Sequence, residues 1–366
     1  MKHELIVDFK TEIYGPTKEN PAPVLTYPRL VELYHNGAAN GTILATAESL
    51  DEESYIIHVS RDGGKSFEIL SRITEPEDSG LVCNWQPFIY ELPCAVGGLP
   101  EGTILFSGCI RDRAVKERSQ IVLWASRDLG KSFEKLSVVA EAGGIDHGVW
   151  EPFLYAENGV LYCFYSDDND PVCSQTIVLK TTVDGINWGN QIQATACADR
   201  HLRPGMAAVA KMGNGEYILT YEMVGMHGNP VHYKKTRDLT DWGDVSENGR
   251  LLVTDDGVSI GSTPYCAWTP DGGENGTVIV TARNMASGNS ETGTEIMLSC
   301  DFGESWTHAE NPLPYIMPDK YKGLRCAYSP CFFVRNDNSI FYVNDINCDA
   351  PFENKSRIVL AHLTVK

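Results

Sequence analysis

Six stretches of the chain open with a proline and run directly into an apolar or aromatic segment. They are Tyr27-Pro28-Arg29-Leu30, Gln86-Pro87-Phe88-Ile89, Glu151-Pro152-Phe153-Leu154, Arg203-Pro204-Gly205-Met206, Thr263-Pro264-Tyr265-Cys266 and Ser329-Pro330-Cys331-Phe332. The prolines stand 59, 65, 52, 60 and 66 residues apart. Proline is tolerated at the first residue of a strand, where its missing N–H costs little. Six such starts at a near-regular period define a repeat array, and an array takes precedence over any estimate of domain number from length. A length of 366 residues alone suggests two or three domains. The repeat instead predicts one closed array spanning 1–366.

Each strand start is followed by a turn and a second strand. The turns carry Asn-Gly or Asp-Asn: Asn36-Gly37 through Asn40-Gly41, Asn158-Gly159, Asn214-Gly215, Asn275-Gly276 and Asp337-Asn338. These are hairpin signals. The second strands, such as Val160-Leu161-Tyr162-Cys163-Phe164 and Tyr217-Ile218-Leu219-Thr220-Tyr221, are β-branched and aromatic, as strands prefer. No long amphipathic helix competes with this reading.

A second motif recurs later in the repeats. Ser60-Arg61-Asp62-Gly63-Gly64-Lys65-Ser66-Phe67 returns as Ser126-Arg127-Asp128-Leu129-Gly130-Lys131-Ser132-Phe133 and as Ser299-Cys300-Asp301-Phe302-Gly303-Glu304-Ser305-Trp306. Degenerate copies lie at 182–188 and 236–242. The Asp accepts backbone N–H bonds, Gly takes a positive φ, and the aromatic packs into the sheet. The motif is the Asp box, or BNR repeat. Along its whole length the chain resembles the sialidase-like superfamily of Asp-box propellers. The resemblance implies an all-β, six-bladed β-propeller of four-stranded antiparallel blades. The Asp boxes then read as structural turns, not catalytic sites. Blade six lacks one strand at the C-terminal end, and Leu5-Ile6-Val7-Asp8-Phe9 is predicted to supply it.

In such a blade the residues that start the first strand and end the second converge over one mouth of the channel. Those positions hold Tyr27, Arg29, Trp85, Gln86, Trp150, Glu151, Arg203, Thr263 and Tyr328, and then Glu48, Arg111, Asp167, Tyr221, Glu222, Arg283 and Asp345. A polar ring with aromatic walls suits a sugar. Glu151 and Glu222 come from adjacent blades, each beside an aromatic residue. Two carboxylates flanking a glycosidic bond are what most glycoside hydrolases use, and a desolvating neighbour can raise one pKa so that it serves as the acid. Arg29, Trp85, His147, Trp150, Asp167, Arg203, Tyr221 and Arg283 are the candidate substrate ligands.

Trp150-Glu151-Pro152 opening the third blade, and Thr220-Tyr221-Glu222 closing the second strand of the fourth, resemble glycoside hydrolase family 93. That family comprises exo-α-1,5-L-arabinanases. The resemblance implies a retaining mechanism with Glu151 as acid/base, Glu222 as nucleophile and Tyr328 beside the second carboxylate. Two other readings stay open. A sialidase would use Arg29, Arg203 and Arg283 as a carboxylate clamp, with Tyr328, Glu222 and Asp51 for the chemistry. A sugar-binding propeller without catalysis would need none of these roles.

The formal charge of −19 argues against nucleic acid or an anionic membrane as partner. It suits a soluble protein with a neutral ligand, or an anionic one held by a local basic pocket, and the resemblance implies an oligosaccharide substrate. No metal-ligand spacing and no phosphate loop is present, so no cofactor is expected. The N-terminus opens no apolar run, and the eleven cysteines contain no Cys-x-x-Cys. Both point to a cytoplasmic protein with reduced thiols. The sequence carries no sign of oligomeric state.

Overall fold

The computed structural model describes residues 4–20, 24–49, 51–115, 118–144, 147–288, 295–315, 326–353 and 355–366. Six four-stranded antiparallel sheets radiate from a common axis. Blade one is Leu25–Glu32, Ile43–Ser49, Tyr55–Ser60 and Glu68–Ile73; blade two is Leu81–Glu91, Ile104–Asp112, Ser119–Ser126 and Glu134–Glu141. Blade three is Val149–Glu157, Val160–Asp167, Thr176–Thr182 and Ile192–Ala196; blade four is Arg203–Lys211, Tyr217–Val224, Val231–Thr236 and Arg250–Leu251. Blade five is Tyr265–Thr269, Thr277–Thr281, Ile296–Ser299 and Thr307–Ala309. Blade six is Cys331–Val334, Ile340–Asn347 and Ser356–Val365, with Leu5–Tyr14 outermost. Leu5 pairs with Val365 and Tyr14 with Ile358, so the two ends of the chain share one sheet. A two-stranded ribbon, Ile260–Gly261 with Asn284–Met285, is added above blade five.

The inner strands are buried on both faces because each blade packs against its neighbours. That is why Tyr217–Val224 and Ile43–Ser49 read as near-continuous apolar runs rather than alternating ones. The outermost strands meet solvent, as in Glu68–Ile73, where only Ile73 is buried. Aliphatic and aromatic side chains from facing blades fill the spaces between sheets. Phe106, Tyr55 and Trp124 form one such aromatic cluster between blades one and two. Among the described residues no helix is long and apolar enough to cross a membrane.

The Asp boxes link third to fourth strands. In the first, Ser60 Oγ donates to Asp62 Oδ1 at 2.8 Å, and Lys65 and Ser66 donate their N–H groups to the same oxygen at 3.0 Å. Ser66 Oγ–H reaches Oδ2 at 2.6 Å. The hydroxyls of Ser66 and Ser60 and the Ser66 N–H hold the Asp62 carboxyl down to about 2. The degenerate copy in blade three keeps the same network, with Ile186 and Asn187 N–H on Asp184 at 2.8 Å. Strand register puts the box at the end away from the channel mouth: Thr182 pairs with Leu161, whereas Asp167 at the mouth pairs with Thr176. Asp128, which accepts from Ser132 N–H, Ser132 Oγ–H and Ser126 Oγ–H, is therefore a test of structure without chemistry. Asp128→Ala should lower unfolding free energy by about 1–3 kcal/mol. The kcat of the folded fraction should stay within twofold, measured beside urea denaturation.

Candidate active site

At the channel mouth every blade carries a residue with a left-handed backbone: Tyr27 (φ 54°), Gln86 (φ 52°), Glu151 (φ 65°), Met206 (φ 60°), Thr263 (φ 47°) and Ser329 (φ 62°), with Ser262 and Ala327 also left-handed close to the last two. None is glycine, and five directly precede a proline, which disfavours the helical region for them. In blades one to four the strand pairing skips at this point, between Thr26 and Arg29, Trp85 and Phe88, Trp150 and Phe153, and Gly205 and Ala208. These are bulges that turn a side chain over the axis.

Each bulge N–H is received by the preceding blade. Gln86 N–H donates to Glu48 Oε2 (3.1 Å), Glu151 N–H to Gln86 Oε1 (3.0 Å), and Met206 N–H to Glu151 Oε2 (2.9 Å). Thr263 N–H donates to Glu222 Oε2 (2.8 Å), Ser329 N–H to Thr263 Oγ1 (3.0 Å), and Tyr27 N–H to the Tyr328 carbonyl (2.9 Å). The six bonds close a ring around the mouth. They also satisfy donors that the bulges remove from the sheet ladder.

Above this ring lies a cavity of about 360 Å³ lined by Glu48, Trp85, Gln86, Trp150, Glu151, Asp168, Gln175, Arg203, Glu222, Val224 and Tyr328. The structure thus brings Glu151, Glu222, Tyr328, Trp85, Trp150 and Arg203 together. Trp85 and Trp150 stand 5.5 Å apart at 46°. The guanidinium of Arg111 covers one Trp85 face at 3.4 Å. Trp150 Nε1–H donates to Asp168 Oδ2 at 2.9 Å. Arg203 donates to Gln175 Oε1 at 2.8 Å and reaches Asp168 at 3.4 Å.

The two glutamates differ in surroundings. Burial, then the nearby Glu222 charge, push Glu151 up to about 7, opposed by hydrogen bonds from Ser166 and Met206. Burial also raises Glu222, but the Thr263 N–H and Ser262 act against it, as do the positive charges of Arg283 and Arg203. Glu151 is therefore placed to hold a proton near neutrality, and Glu222 has cations to stabilise its anion. Arg283 lies over the Tyr328 ring at 5.5 Å and donates from Nε to the Cys326 carbonyl at 3.1 Å. Among the described residues no cluster of His, Cys, Asp or Glu is arranged to hold a metal ion.

Five of the expected ligands do not line the cavity. Arg29 is only 5% exposed. It donates to the carbonyls of Pro28 and Ser329 and to Ser329 Oγ, and lies over the rings of Tyr27 (4.2 Å) and Tyr265 (5.1 Å). It braces the channel below the floor. Tyr221 is fully buried with its hydroxyl donating to the Asn248 carbonyl at 2.5 Å. Asp167, 2% exposed, accepts from Asn169 and Gln191. Both were placed one residue out of phase: side chains alternate along a strand, so Ser166 and Glu222 face the mouth and Asp167 and Tyr221 face away. Arg283 stands behind Tyr328. His147 sits exposed on the rim, its Nδ1 on the Asp168 carbonyl at 2.6 Å; its neighbour Asp146 is outside the described residues. The sialidase constellation is not assembled, since Arg29 is sequestered and Asp51 accepts the Val24 N–H at 3.0 Å outside this cavity.

Asp168 and Gln175 were missed. Asp168 follows by alternation from Ser166. Gln175 stands immediately before the third strand of blade three, a position that the count of first-strand starts and second-strand ends leaves out. Gly148 is a further requirement, because a Cβ there would fall 1.9 Å from the Trp150 ring. Gly148→Ala should displace the indole and lower kcat/KM by about 10–100-fold. Trp fluorescence should change in parallel, and unchanged emission with unchanged kinetics would show that the indole does not depend on this glycine.

No protein-family model matches the chain, and none of the curated proteins matches it significantly. Solved structures do. An α-L-arabinanase of Penicillium chrysogenum, complexed with arabinobiose, is 28% identical with a TM-score of 0.80 over 98% of both chains. The GH93 α-L-arabinofuranosidase of Fusarium graminearum, also with arabinobiose, is 27% identical with a TM-score of 0.80, covering 98% of this chain and 97% of that one. The NanB sialidase of Streptococcus pneumoniae, at 9% identity and a TM-score of 0.59, shares the fold alone. The similarity to family 93 enzymes extends over nearly the whole of both chains, and it supports a glycoside hydrolase.

Proposed function

We propose that the chain is an exo-acting, retaining α-L-arabinan-oligosaccharide hydrolase, with Glu151 as acid/base and Glu222 as nucleophile. The observation that carries this reading is the pair of glutamates in one cavity. Each has one oxygen held by a bulge N–H of the next blade, and their environments divide proton holding from anion holding. In the first step Glu151 gives its proton to the glycosidic oxygen while Glu222 attacks the anomeric carbon, and the aglycone leaves. In the second step Glu151, now ionised, takes a proton from water, which displaces Glu222 and releases a sugar of the original configuration. Tyr328 borders the same cavity and is assigned to the nucleophile side, where Arg283 steadies its ring. Trp85 and Trp150 provide apolar faces for the furanose and its neighbour. The arabinobiose complexes of the two fungal enzymes favour arabinose as the sugar. All eleven cysteines are free thiols, which suits a reducing compartment and a soluble oligosaccharide substrate.

The test is a panel of nitrophenyl α-L-arabinofuranoside, linear arabino-oligosaccharides and a fluorogenic sialoside. Turnover of the arabinosides, with product of retained configuration seen first by NMR, is expected. Cleavage of the sialoside alone, or product of inverted configuration, would overturn the proposal.

A further inference from the structure

We propose that Ser166 is a positioning residue that fixes which oxygen of Glu151 exchanges the proton: Ser166 and Met206 N–H occupy Oε2, so the mobile proton is carried on Oε1. This rests on the assignment of Glu151 as acid/base. Ser166 is fully buried on the second strand of blade three, paired with Trp150. Its Oγ lies 2.6 Å from Glu151 Oε2, and Met206 N lies 2.9 Å from the same oxygen and 3.3 Å from Ser166 Oγ. Met206 N–H can only donate. Ser166 Oγ thus faces a donor on one side, and its single hydrogen is directed to Glu151. Oε2 then accepts two hydrogens, and a third, its own, would point into them. The left-handed turn at Met206 (φ 60°) is what brings its N–H to this spot.

The consequence is a division of labour within one carboxyl group. Oε1 meets the glycosidic oxygen in the first step and water in the second. Donation by Ser166 and Met206 also favours the ionised form, which the second step needs. Charge on Glu151 is set further by Glu222 from blade four and by Asp168 just beyond the second strand of blade three. Tyr27 of blade one and Cys109 of blade two face it as neutral groups whose own ionisation the Glu151 charge opposes. Arg203 of blade four is held against Asp168. None of these touches Oε2, so removing the Ser166 hydroxyl changes one influence and leaves the others in place.

In Ser166→Ala the basic limb of kcat/KM should move up by about one pH unit. At pH 7 the second step should become slow, giving a burst with a nitrophenyl arabinofuranoside and a kcat lowered about tenfold. Ser166→Thr, which keeps the hydroxyl, should restore both limb and kcat. Should Ser166→Ala not accumulate, Ser166→Cys carries the same test with a smaller upward movement, since a thiol is a weaker donor. A basic limb unmoved in these variants, with only stability or KM altered, would reduce Ser166 to a structural role and overturn the proposal. That failure is separable from failure of the assignment itself, which would appear as full activity of Glu151→Gln on unactivated oligosaccharides.

Discussion

Glu222→Ala is expected to lower kcat on arabino-oligosaccharides by about 10³–10⁵-fold, and azide is expected to restore turnover of an aryl arabinofuranoside. The size follows from what the side chain supplies. Glu222 is nearly buried, accepts the Thr263 N–H at 2.8 Å and has the charges of Arg283 and Arg203 to favour its anion. Nothing else in the cavity replaces a nucleophile so placed. Asp168 is tied to Trp150 and Arg203, and Glu48 to Gln86 N–H. Truncation leaves a hole of carboxylate size beside the Thr263 N–H, under the positive charge of Arg283 and Arg203, which is a site for a small anion. Azide bound there would attack the anomeric carbon from the vacated side and give a glycosyl azide of inverted configuration. The same salt added to Glu151→Ala should give the azide of retained configuration, because there Glu222 still forms the intermediate. If the two stereochemical outcomes are exchanged between the variants, the roles of the glutamates are exchanged too. Activity above a tenth of wild type in Glu222→Ala would exclude it as nucleophile.

The repeat was legible because each blade reuses the same local physics. A proline marks the inner strand, at its N-terminal end in blades four to six and at the bulge inside it in blades one to three. Asn-Gly closes the first hairpin in most blades, and an Asp box or a degenerate copy closes the last in blades one to five. The pairing of Leu5–Phe9 with the last strand was readable from the one strand that blade six lacks, and in the structure that strand continues to Tyr14. The site was readable only in part. Positions at strand starts and ends locate Glu151, Glu222, Trp85, Trp150, Arg203 and Tyr328, but they do not tell which face of the strand a residue takes. A bulge shifts that phase by one residue, and bulges before proline run against the usual preference of a pre-proline residue. The ring of left-handed residues from Tyr27 to Ser329 is held by hydrogen bonds between blades, between residues up to 301 apart in sequence in the case of Tyr27 and Tyr328. No local pattern encodes such a partner. Arg29 illustrates the cost of reading without it. An arginine at the mouth of a propeller looks like a ligand for an anion, yet Ser329 and three aromatic rings surround it.

Glu151→Gln should separate chemistry from stability in one protein. The amide oxygen can still accept from Ser166 Oγ–H and Met206 N–H, so the fold around it is preserved. Proton donation is lost. Substrates with poor leaving groups should slow by about 10²–10⁴-fold. A dinitrophenyl arabinofuranoside, which needs little protonation, should still form the glycosyl-enzyme at near wild-type rate and then stall, because no base activates water. Stability should change in the opposite sense. The Glu151 carboxyl sits at about 7 in the folded protein against an ordinary 4.5. The folded state therefore binds more protons than the unfolded one between those values, and the wild-type protein loses stability as pH rises through that window. The full displacement corresponds to about 3 kcal/mol once the carboxylate is ionised above pH 7. A neutral amide removes that penalty, so Glu151→Gln should be more stable than wild type by about 1–3 kcal/mol at pH 8. The advantage should shrink toward zero below about pH 4, where the wild-type carboxyl is protonated in both states. Urea denaturation at pH 5 and pH 8 reads this directly. An equal gain at both values would trace it to packing rather than to a buried charge, and no gain at pH 8 would mean that Glu151 is not desolvated in the way its acid role requires.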